Sequence, residues 1–107
     1  MDTIASVTDA SFDAAVVANP RPVIVEYWAQ WCGPCRQVGP VLDAIARENA
    51  DRVDVVKLNV DENPKTTRRY GVMLVPTIGL FHGGEVVKQV IGARSKSALL
   101  REFDGLI

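Results

Sequence analysis

Trp31-Cys32-Gly33-Pro34-Cys35 holds the only two cysteines of the chain, with two residues between them. If a helix begins near Gly33, residues three apart share one side of its first turn, so both sulfurs come close enough to bridge. Such a pair can open and close reversibly. The free backbone N–H groups and the positive end of the macrodipole at a helix start favour an anion there, which lowers a thiol pKa and populates the thiolate. A redox site is therefore the first reading, and the flanking sequence tests it.

Upstream, Val23-Ile24-Val25-Glu26-Tyr27-Trp28-Ala29 is an almost continuous apolar run rich in β-branched and aromatic residues, as expected of a central strand buried on both faces. Downstream, Val38, Val41, Leu42 and Ile45 recur at helical spacing as far as about Asn49, so the dithiol opens an amphipathic helix packed on the sheet. Pro40 removes the N–H that would bond the carbonyl of Arg36 and is expected to kink that helix. Val53 to Val60 forms the next strand, and strand, helix, strand implies a right-handed crossover with parallel pairing.

Farther out, Ile4 to Val7 is a short apolar segment, and Thr8 sits well as the N-cap of a helix whose inward face is Phe12, Ala15 and Val16. Asn63-Pro64 starts a short polar helix over Lys65 to Tyr70, closed by Gly71. Thr77 to Phe81 and Glu85 to Ile91 flank His82-Gly83-Gly84, a hairpin signal that puts two antiparallel strands at one side of the sheet. Ser95 caps a last helix whose buried stripe is Leu99, Leu100, Phe103 and Leu106.

With 107 residues the chain suits one domain with one core. Its 48% hydrophobic and 23% charged residues are ordinary globular fractions. A net charge of -1, with no basic cluster beyond Arg68-Arg69, argues against a nucleic-acid partner. Met1-Asp2-Thr3-Ile4 lacks the basic start and apolar run of a secretory signal, and no apolar stretch reaches membrane-spanning length. A cytoplasmic protein without membrane attachment is the expectation. In a reducing compartment, two cysteines this close are more often catalytic or metal-binding than a permanent staple. A closed zinc site needs four ligands, and the chain offers two Cys and a distant His82, itself best read as a solvated turn residue.

The order β α β α β α β β α, with Trp31-Cys32-Gly33-Pro34-Cys35 opening the second helix, resembles the thioredoxin family nearly from end to end. Tyr27-Trp28-Ala29, Pro40, Lys57, Val60 to Pro64, Val75-Pro76-Thr77, Gly84 and Ile91-Gly92-Ala93 also stand where that family places such residues. The resemblance implies an α/β thioredoxin fold, a five-stranded mixed β-sheet flanked by four α-helices, with residues 1–107 as a single thioredoxin domain. It further implies a general protein-disulfide reductase, with no bound cofactor and electrons coming indirectly from NADPH through a thioredoxin reductase. The expected partners are that reductase and disulfide-containing target proteins, and the expected form is a monomer.

Within this frame Cys32, nearest the free N–H groups, is the candidate nucleophile and Cys35 the resolving thiol. Gly33 and Pro34 are the dipeptide that, in the family, goes with a reducing site. Glu26, a carboxylate inside an apolar strand, is expected to be buried with a raised pKa and to take the proton of Cys35, with Lys57 on the neighbouring strand as its charge partner. A buried ion pair without catalytic duty is the alternative. The family usually has Asp in place of Glu26, and the extra methylene bears on whether the carboxylate reaches Cys35 directly or through water.

The resemblance also implies a cis Val75-Pro76 bond against the dithiol, with the Val75 backbone receiving an extended substrate segment. Met73 and Leu74 replace the basic and small residues of many relatives. With Trp31, Val75, Gly92 and Ala93 they form an apolar substrate-binding rim, unless they tuck into the core. Two rival functions share these residues: a binding or assembly module in which the dithiol is dispensable, and an oxidase or isomerase running the chemistry in the other direction.

Overall fold

A computed structural model describes residues 4–107. Met1 to Thr3, on which the reading of the N-terminus partly rests, lie outside the described residues. Among the described residues, strands β1 (Ala5–Ser6), β2 (Val23–Trp28), β3 (Asp54–Asn59), β4 (Thr77–His82) and β5 (Glu85–Ile91) form one sheet in the order β1-β3-β2-β4-β5. β1 and β2 run parallel to β3, whereas β4 pairs antiparallel with β2 and β5. The sheet is mixed, and β2, the apolar run before the cysteines, lies at its centre.

Alternation along β2 divides the core into two layers. Ile24 faces α1 (Gly33–Glu48) and α3 (Lys96–Glu102), packing with Val38, Leu42, Ile45, Leu99 and Phe103. Val23, Val25 and Tyr27 face the other way, onto Phe12, Val16, Leu58 and Phe81. Glu26 therefore falls on the α1 side, between Ile24 and Trp28.

The helices start and stop for local reasons. α1 has Cys32 as its N-cap and Pro34 in its first turn, and it runs unbroken through Pro40. α2 (Pro64–Arg69) begins on a proline and is followed by Gly71 at φ 65°. Ser95 caps α3 by accepting the amide of Ala98 at 3.2 Å. His82 pairs with Glu85, so Gly83 and Gly84, at φ 64° and 83°, make a two-residue turn with both central residues in the left-handed region.

Three details depart from the sequence reading. The first helix is wound wide over Asp13–Val17, the amide of Ala18 reaching the carbonyl of Asp13 at 2.8 Å. Thr8 still opens that segment, its hydroxyl accepting the amide of Ser11 at 3.2 Å. β5 shifts register beside Leu80 and Phe81, where the extra residue of a bulge breaks the alternation and leaves both Val86 and Val87 exposed. Leu106 is exposed rather than buried, because α3 ends at Glu102 and the helical stripe does not extend to it.

Candidate active site

Cys32 and Cys35 are joined as a disulfide, with their Cα atoms 5.4 Å apart across the first turn of α1. Both residues are buried, so exposure does not tell the sulfurs apart. Hydrogen bonding does: the amide of Cys35 donates to Cys32 Sγ at 3.2 Å. One of the orphan N–H groups of the helix start is thus aimed at Cys32. Ala29, Trp28, Val60 and Val75 pack around the pair. The Val75-Pro76 peptide is cis.

Behind the dithiol lies a cavity of about 340 Å³ whose walls include Cys35, Glu26, Lys57, Trp28, Gly39 and Asp43. Glu26 is only 4% exposed. Burial, joined by the negative charge of Asp43, pushes its carboxyl up to about 7 from an ordinary 4.5. Lys57 stands opposite Glu26 in the parallel β2–β3 register, and its ammonium lies 5.4 Å from the centroid of the Trp28 ring.

In front of the dithiol the surface is apolar. Trp31 is 69% exposed, Met73 91% and Leu74 60%. These three residues, with Val60, Val72 and Val75, line a groove of about 200 Å³. Asp61 accepts the Trp31 indole N–H at 2.8 Å and so fixes one wall. The hydroxyl of Thr77 donates to the carbonyl of Leu74 at 2.6 Å, and the amide of Gly92 donates to the carbonyl of Pro76 at 2.8 Å. Gly92 is thereby held beside Pro76, with the exposed Ala93 next to it in the chain. Gly33 and Pro34 are exposed in the turn between the sulfurs.

The sequence model of the family described as Thioredoxin matches residues 3–104. The chain belongs to the thioredoxin family. A protein named Thioredoxin from Streptomyces clavuligerus is 52% identical over 96 residues, which are 90% of this chain and 89% of that protein. Thioredoxin from Allochromatium vinosum is 52% identical over 103 residues, 96% of either chain. A Mycobacterium leprae protein named Bifunctional thioredoxin reductase/thioredoxin is 48% identical over 101 residues, 94% of this chain and 22% of that longer one. With a bridged Cys-x-x-Cys pair at a helix start, the chain is a thiol:disulfide oxidoreductase of the protein-disulfide reductase type.

Two residues around this site escaped the sequence reading. Asp43 reaches the rear cavity and Asp61 holds Trp31. Asp43 left a faint signal, since it lies two four-residue steps beyond Cys35 and so shares its helix face. Asp61 lay within the family-like stretch Val60 to Pro64, but a carboxylate in a polar turn has an ordinary explanation, and its hold on Trp31 was not read from it.

Proposed function

We propose that Cys32 opens the exchange by attacking a disulfide of a target protein, and that Cys35 completes it with Glu26 as proton acceptor. The observation that carries this reading is the hydrogen bond from the Cys35 amide to Cys32 Sγ. A sulfur that accepts a backbone amide at a helix N-terminus has its anion stabilised, so Cys32 is the thiolate of the reduced protein. It forms a bond to one target sulfur while the other leaves and takes up a proton. Cys35 then gives its proton to Glu26, attacks Cys32 Sγ and expels the first target sulfur, which is protonated in turn. The target gains two electrons and two protons, and Cys32–Cys35 ends oxidised.

A carboxyl titrating at about 7 both accepts and returns a proton near neutrality, which suits Glu26 to this role. The cavity between Glu26 and Cys35 has room for water, so the transfer need not be direct. Lys57, on the same wall, and Gly33-Pro34, between the sulfurs, tune the site. Val75, packed on the dithiol, offers its backbone to an extended target segment, flanked by Trp31, Met73, Leu74, Pro76, Gly92 and Ala93. Residues 1–107 act as one cytoplasmic, monomeric domain serving electron transport and redox homeostasis. Their electrons come from NADPH through a separate thioredoxin reductase, a pairing supported by the Mycobacterium leprae relative whose name joins both activities.

The test is a trapping experiment with reduced single-cysteine variants and a disulfide-containing target. Cys35→Ser protein accumulates a mixed disulfide through Cys32, and Cys32→Ser protein accumulates little over the same time. Equal trapping through Cys35 would overturn the assignment.

A further inference from the structure

Cys35, Gly39 and Asp43 follow one another at four-residue spacing, so they form a single stripe along α1. All three line the rear cavity. Gly39 puts no side chain into the stripe, and a Cβ built there meets nothing within 4 Å. The space between Cys35 and Asp43 is therefore open. Across it β2 and β3 contribute Glu26 and Lys57, opposite one another in register. β4 contributes the uncharged Ile78 beside Glu26. Among the described residues, the charged or titratable groups on the cavity with Glu26 are thus Lys57 from β3, Asp43 and Arg36 from α1, and the two cysteines.

We propose that Asp43 is a positioning residue of the reductase: its carboxylate, on the helix wall of the cavity that Glu26 shares with Cys35, governs how readily Glu26 exchanges a proton with that thiol. This rests on the proton-acceptor role given to Glu26 above. A negative charge near a buried carboxyl disfavours its ionised form. The negative charge of Asp43 acts on Glu26 in the same direction as burial. Removing it makes the Glu26 carboxylate easier to form and a weaker base toward Cys35. It also leaves the Lys57 ammonium with one carboxylate fewer on the same cavity, which works in the same direction.

Two readings on the full-length protein test the proposal: the carboxyl titration of Glu26 by ¹³C NMR, and the pH profile of single-turnover reduction of a protein disulfide. In Asp43→Asn protein the Glu26 midpoint falls from about 7 by about half a pH unit or more, and the limb of the rate profile that rises through that midpoint moves with it. Asp43→Glu, which keeps the charge, restores both. A Glu26 midpoint unchanged in Asp43→Asn overturns the proposal, as does Asp43→Glu behaving like Asp43→Asn. If the midpoint falls while the rate profile stays in place, the role of Glu26 as proton acceptor fails, and the part of Asp43 in the reaction fails with it.

Discussion

Glu26 opposes folding in the same protonation state that suits it to accept a proton. Its carboxyl is raised in the folded protein to about 7 from 4.5, chiefly by burial. Between those values the folded chain holds a proton that the unfolded chain has released, so stability falls as pH rises through this window and the loss is complete above it. The cost at alkaline pH is about 3 kcal/mol. Glu26→Gln protein is accordingly expected to match the parent near pH 4 and to exceed its stability at pH 8 by about that amount. Denaturant unfolding across pH checks this, and parallel curves for the two proteins would contradict it. That Glu26 is buried was legible because a carboxylate in an apolar strand has few other places to go. The action of Asp43 on it was not, because that depends on where α1 crosses the sheet. The same limit hid the hydrogen bond from Trp31 to Asp61, which joins residues 30 apart in sequence.

Among the elements, the β4–β5 hairpin shows how turn chemistry fixes register. Both glycines adopt a positive φ, but their surroundings differ. A Cβ on Gly84 would lie 3.2 Å from the carbonyl oxygen of Val17 and 3.3 Å from its Cγ1, whereas a Cβ on Gly83 meets nothing within 4 Å. Gly84→Ala is expected to cost about 1 to 3 kcal/mol, and more than Gly83→Ala, since strain and crowding add. Thermal or denaturant unfolding of the two variants checks the order; equal losses would contradict the close approach to Val17. The hairpin, α1 and α3 were legible from glycines, apolar periodicity and the Ser95 cap, all signals within a few residues. The wide winding of Asp13–Val17 and the bulge in β5 were not. Each is set by how the segment fits its neighbours, and neither leaves a mark in the apolar pattern.

Across the whole molecule, a sheet with parallel pairing at its centre and an antiparallel hairpin at one side brings the ends of β2 and β3, the start of α1 and the turn before β4 to one place. The site thus has an apolar front and a titratable rear. With a net charge of -1 there is little long-range field to steer partners, and under the proposed function target capture would fall to the exposed rim. Substituting Met73→Lys together with Leu74→Gly is expected to raise KM for a protein disulfide by about tenfold, as removal of exposed apolar contacts on this scale does, while kcat changes little. Steady-state kinetics checks the split, and an unchanged KM would remove the rim from target binding. The exposure of Met73 and Leu74 had two equal readings in the sequence, because a loop residue points outward or inward according to the fold around it. The dithiol itself needed no such context.

The central claim, that Cys32 and Cys35 make this chain a protein-disulfide reductase, is tested most directly by NADPH-coupled reduction of a disulfide-bonded protein in the presence of a thioredoxin reductase. The native chain sustains turnover, and the Cys32→Ser, Cys35→Ser protein shows none above background. Turnover retained by the doubly substituted protein would contradict the claim.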